Sequence, residues 1–220
     1  MKVYFDNAAT TAIDEEVLAA MMPYLTEHFG NPSTQYSFGR DTRAAVEEAR
    51  KTIAQLINAQ PSEIIFTSGA TEANNMAIKG AVNYLGVERI ITSPIEHHCV
   101  EYSVDFCRDH LQVEVAFVKI DEKGNVDLND LESLLKSSAK KTLVTLMHAN
   151  NEIGTLLDIE KVGAFCKQYN ALFHSDTVQT FAHFPIDVQK MNVDFISGAA
   201  HKFHGPKGIG FLYMRKQNKV

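Results

Sequence analysis

Short apolar or β-branched runs that alternate with helix-length segments limit most strongly how this 220-residue sequence can fold. Seven such runs read as strands, at 64–67, 89–92, 113–118, 143–146, 171–174, 193–196 and 210–213. Helices are predicted between most of them, at 71–85, 98–110, 128–137 and 158–169. Two more precede the first strand. One follows Asp14, a residue suited to N-capping, and sets Val17, Leu18, Met21, Met22 and Leu25 on one face. The other spans about 39–59, with Ala45, Ala49, Ile53, Leu56 and Ile57 in one stripe, and Gly30-Asn31-Pro32-Ser33 breaks the chain between the two. Strands alternating with helices predict a three-layer α/β/α fold around a mainly parallel seven-stranded sheet. Ligands on such sheets sit at the carboxyl ends of the strands, so the loops after strands carry the functional information.

Composition narrows the partners. Lys and Arg number 21 against 27 Asp and Glu, a net charge of −6, and no basic run occurs, which argues against nucleic acid. No apolar run reaches the roughly 18 residues of a membrane helix, and the opening MKVYFDNAATT lacks the order of a secretory signal. The expectation is a cytoplasmic chain without a membrane partner. Cys99, Cys107 and Cys166 are odd in number and form no CxxC pair, so neither a disulfide framework nor a thiolate metal site is expected. With no repeat and no long linker, no boundary splits the chain into independent domains.

Five post-strand loops offer chemistry. Thr67-Ser68-Gly69-Ala70-Thr71-Glu72 follows a strand and opens a helix, where free N–H groups and the helix dipole favour a phosphate; capping by Ser68 or Thr71 is the plainer alternative. Asp176, just past an apolar strand, suits a protonated ring nitrogen, although a single Asp there is more often a turn cap. Lys202 lies 26 residues beyond Asp176, beside small residues that would desolvate it and favour imine formation with a carbonyl; on spacing alone a surface lysine is the better reading. His201 and His204 lack a third metal ligand at a familiar spacing, so a loop-anchoring role suits them better. Glu96-His97-His98 and Asn150-Asn151-Glu152 also follow strands, where an imidazole can stack and move protons and an amide can bind a hydroxyl or carboxylate. An anion site, a proton-carrying aromatic ring, a pyridinium partner and an imine-forming lysine together describe one cofactor, pyridoxal 5'-phosphate.

Asp6-Asn7-Ala8-Ala9-Thr10-Thr11, Gly30-Asn31-Pro32-Ser33, the segment from Thr67 to Glu72, Glu96-His97-His98, Asn150 to Gly154, Asp176 with Gln179, and His201-Lys202 resemble the cysteine desulfurases, in that family's order across the whole chain. The resemblance implies the large domain of a fold type I pyridoxal phosphate enzyme, with residues 1–15 as an N-terminal arm, 16–220 as the cofactor domain, and the C-terminal small domain absent. It implies that Lys202 bonds the cofactor as a Schiff base, Asp176 pairs with the ring nitrogen and Gln179 with the ring hydroxyl. His97 would stack on the ring as an acid or base. The Ala70 N–H, Thr71 and His201 would hold the phosphate, and Asn151 would contact cofactor or substrate carboxylate. By the same resemblance L-cysteine is the substrate, alanine leaves, and sulfur passes through an enzyme persulfide to an acceptor protein for iron–sulfur cluster assembly or thiolation, in a homodimer when full length. Two departures stand out. Ala199 occupies a position where the family has a phosphate-binding Ser, and the family's persulfide cysteine and substrate arginine have no counterpart before Val220. The expectation is therefore a fragment inactive by itself. Another class V aminotransferase or lyase, or a pyridoxal-binding protein without chemistry, are the alternatives.

Overall fold

The structure is a computed structural model that describes residues 1–218. Six α-helices, α1 (Glu15–Thr26), α2 (Ser37–Leu56), α3 (Ala70–Leu85), α4 (His98–Leu111), α5 (Leu128–Lys136) and α6 (Ile159–Gln168), accompany seven strands. These are β1 (Ile64–Thr67), β2 (Arg89–Thr92), β3 (Glu114–Phe117), β4 (Thr142–Thr145), β5 (Leu172–Asp176), β6 (Phe195–Ala199) and β7 (Gly210–Met214). They form one sheet in the order β1-β7-β6-β5-β4-β2-β3. Strands β2 to β6 pair in parallel, whereas β7 runs antiparallel to both β6 and β1. The reversal follows from the link: residues 200–209 hold one 3-10 turn and no crossover helix, and a short link can only return the chain antiparallel.

Alternation along each strand divides the core in two. Ile90, Leu143, Phe195 and Leu212 pack with Ala73, Ala77, Val100 and Val104 of α3 and α4 on one face. Their neighbours Ile91, Val144, Ile196 and Phe211 pack with Leu131, Leu135, Val162 and Cys166 of α5 and α6 on the other. The period-2 side-chain geometry of a strand makes this split automatic. Gly210 is required at the start of β7, because a Cβ there would lie 2.5 Å from the Gly198 carbonyl oxygen and 2.8 Å from Gly69 Cα. The close approach brings β6, β7 and the entry to α3 together.

Three expectations shift. Helix α2 stops at Leu56 rather than near 59, as Asn58 takes a left-handed φ of 58°. Strand β3 is shorter than 113–118, since this edge strand pairs only over the four residues of β2. The apolar stripe of α1 is only partly covered: Val17 and Met21 are half-buried, no α1 residue is fully buried, and Leu25 is 65% exposed.

Candidate active site

The carboxyl ends of β1, β5 and β6 and the start of α3 enclose a cavity of about 560 Å³, within the size range of small-molecule sites. All eight residues singled out from the sequence line it: Ala70, Thr71, His97, Asn151, Asp176, Gln179, His201 and Lys202. Parallel strands deliver their ends to one edge of the sheet, which is why segments more than a hundred residues apart meet here.

Asp176 ends β5 and is buried. Its Oδ1 accepts from the Val178 N–H at 3.0 Å and its Oδ2 from the Asn74 side-chain amide at 2.7 Å. Burial pushes the carboxyl up from the usual carboxylate range, opposed by those two hydrogen bonds and by the nearby His97 and Lys202. Lys202, in the 3-10 turn after β6, is half-buried, and this desolvation lowers its ammonium while Asp176 and Asp6 oppose the shift.

The ammonium of Lys202 donates to the carbonyl oxygens of Ala8 and Ala9. Residues 8–14 thus form a strap across the cavity. Thr11 donates from its N–H and Oγ1 to the His201 carbonyl at 2.8 and 3.0 Å, and its Oγ1 accepts from the His204 N–H. Gln179 Nε2 donates to the Ala8 carbonyl, and His201 Nδ1 meets Thr10 Oγ1 at 3.1 Å. His201 and His204 therefore anchor the strap.

Gly69 is the N-cap of α3 and no side chain caps the helix, so its first N–H groups face the cavity. Ser68 is turned to Glu72, whose carboxylate accepts from the Ser68 N–H and Oγ at 2.6 and 2.7 Å. His97 is the N-cap of α4: its Nδ1 accepts from the Cys99 N–H, which leaves Nε2 to carry the proton of the neutral ring. Ala199 lines the cavity, whereas Ser197, two residues earlier, is buried outside it with an unpartnered hydroxyl, so it does not replace the missing donor.

A sequence model of the aminotransferase class-V family matches residues 3–220. The chain belongs to the class-V aminotransferase family. This class-V chain is 48% identical over its whole length to a cysteine desulfurase IscS of Dictyoglomus turgidum, of which it covers 55%, and 46% identical to a mitosomal cysteine desulfurase of Trachipleistophora hominis, of which it covers 50%. It spans about half the length of these curated relatives. Among solved structures, a NifS-like protein superposes with a TM-score of 0.94 at 40% identity, covering all of this chain and 61% of the other. A protein described as SspA in complex with cysteine superposes at 0.92 and 38% identity, covering 98% and 62%.

Several features of the class-V chain escaped the sequence reading. Asn74, in the second turn of α3, reaches Asp176; only its place one turn past the anion loop hinted at this. The strap carbonyls at Ala8 and Ala9 act through backbone and leave no residue signature. Glu96, beside His97, packs its carboxyl on Ser93 Oγ and the Met147 N–H while Oε2 has no partner, and burial pushes it up to about 8. The cysteines are all buried, Cys99 and Cys107 in α4 and Cys166 in α6. Cys99 touches the cavity, but burial pushes its thiol up to about 11, as it does Cys107, and Cys166 goes higher still. No helix among the described residues is long and apolar enough to cross a membrane.

Proposed function

We propose that these residues are the cofactor-binding part of a pyridoxal phosphate-dependent cysteine desulfurase, with 1–15 as an arm and 16–220 as the cofactor domain. The observation that carries the reading is the convergence of a buried Asp176, a desolvated Lys202 and the uncapped end of α3 on one cavity. These three fit the ring nitrogen, the carbonyl and the phosphate of that cofactor, and the similarity to cysteine desulfurases supports the choice of substrate. When bound, pyridoxal phosphate supplies an electron sink that labilises bonds of an attached amino acid.

The chain's own groups divide the remaining work. Lys202 would hold the cofactor covalently through its amine. Asp176 holds the ring nitrogen protonated, Gln179 faces the ring hydroxyl, and the α3 N–H groups with Thr71 and His201 hold the phosphate. His97, with Nδ1 tied to the Cys99 N–H, presents Nε2 as the atom that gives or takes a proton. Asn151 orients a carboxylate. Overall, the C–S bond of L-cysteine breaks, sulfur bonds to a thiolate, and the carbon it leaves takes a proton to give alanine. The buried cysteines, with thiols pushed up to about 11 or beyond, hold almost no thiolate at neutral pH and do not serve as that acceptor. A cytoplasmic homodimer that hands sulfur to an acceptor protein is the setting we propose for the whole protein.

The test is borohydride reduction of the chain incubated with pyridoxal phosphate, followed by intact mass and peptide mapping. A reduced adduct on Lys202, lost in Lys202→Ala, is expected, together with no alanine from L-cysteine by this chain alone. A chain with no adduct would overturn the cofactor assignment, and alanine release would overturn the assignment of the three cysteines.

A further inference from the structure

Behind Asp176 runs a line of buried hydrogen bonds that the proposed chemistry does not use. Asn74 Nδ2 donates to Asp176 Oδ2 at 2.7 Å, Asn74 Oδ1 meets His174 Nε2 at 3.1 Å, and His174 Nδ1 meets Thr145 Oγ1 at 2.8 Å. Asn74, His174 and Thr145 are each 0% exposed and come from three elements, α3, β5 and β4. His174 and Asp176 are two apart on β5, so both face α3.

The direction of every bond is settled by chemistry. With Asp176 ionised, as the reading of the cavity requires, turning the Asn74 amide over would set its oxygen against the carboxylate, so Nδ2 faces Asp176 and Oδ1 accepts. His174 then donates from Nε2. Its ring is neutral, since burial lowers it to about 3, so Nδ1 is the bare nitrogen and accepts from the Thr145 hydroxyl. The second Asn74 N–H is taken by Cys99 Sγ at 3.1 Å, which leaves the amide no freedom to rotate. The line therefore points one way, from the Thr145 hydroxyl to the Asp176 carboxylate.

On these contacts, and resting on the reading of Asp176 as partner of a cationic ring nitrogen, we infer that Asn74, His174 and Thr145 are positioning residues that keep Asp176 an oriented, ionised acceptor. An N–H donor on Oδ2 stabilises the carboxylate form and fixes its plane, with Oδ1 held by Val178. Protonation of Asp176 would weaken both of these charge-assisted hydrogen bonds.

The experiment compares the affinity of the chain for pyridoxal phosphate with that for its 1-deaza analogue, in which carbon replaces the ring nitrogen. The network acts only through that nitrogen. In Asn74→Leu the ratio of the two affinities should fall about tenfold, the effect of roughly one pKa unit at Asp176. His174→Leu should lower it in the same sense, and His174→Gln, which can accept from Thr145 and donate to Asn74, should restore it. A purely structural role would weaken both ligands equally, and unchanged ratios with the Lys202 adduct intact would overturn the inference alone. Absence of that adduct in the wild-type chain would instead overturn the reading of the cavity and this inference with it. Should Asn74→Leu not fold, nitrogen NMR of His174 in the wild-type chain decides: a protonated Nε2 and bare Nδ1 are expected, and the opposite tautomer would overturn the inference.

Discussion

Glu96 illustrates how burial alone sets the behaviour of a single residue. Its carboxyl has two donors on Oε1 and none on Oε2, so the proton resides on Oε2 and the group sits near 8 instead of the usual 4.5. A folded-state value above the unfolded one means that the folded protein holds this proton more tightly. The associated stabilisation is complete below about 4.5 and is lost as pH rises through about 8. Across that window the wild type should lose about 1.4 kcal/mol per pH unit relative to Glu96→Gln, measured by chemical denaturation of both at several pH values. A constant difference between them would contradict the assignment. The sequence placed Glu96 in a post-strand loop next to His97, but nothing in it signalled a buried carboxyl, because part of its cover comes from Met147, just past β4 and about fifty positions away.

Helix ends were more legible, since their physics is local. Asp127 caps α5 by accepting from the N–H groups of Asn129 and Asp130 at 2.9 and 3.2 Å, and Asp158 caps α6 through the Lys161 N–H. Removing the α5 cap with Asp127→Ala should cost about 1 kcal/mol, a fall in melting temperature of about 3 °C. Scanning calorimetry checks this; an unchanged transition would mean that packing of Leu131 and Leu135 alone carries the helix. At α3 the same accounting has the opposite outcome. No side chain caps it, and the first N–H groups remain free for an anion at the edge of the cavity. The sequence left capping by Ser68 open, and the structure removes that option by turning Ser68 to Glu72.

For the whole molecule, the uneven cover of the layers is the main consequence. Helices α3 to α6 bury their apolar faces on the sheet, whereas α1, the start of α2 and the segment between them leave Leu25, Phe29, Tyr36 and Phe38 between 53% and 70% exposed. An apolar surface of this kind should bind a hydrophobic dye strongly, and Leu25→Ser with Phe29→Ser should reduce the emission at least severalfold. Dye emission no higher than that of a fully covered control protein would count against it. The sequence by itself determined the kind and approximate place of nearly every element, and the motif residues at strand ends, because periodicity, capping and turn chemistry act over a few residues. Only the tertiary structure decided that β7 runs against its neighbours and that residues 8–14 strap the cavity. It alone set Asn74, His174 and Thr145 in line behind Asp176, and left the stripe of α1 largely uncovered. Those features are contacts between segments remote in sequence, and such contacts exist only once the sheet order brings the segments together.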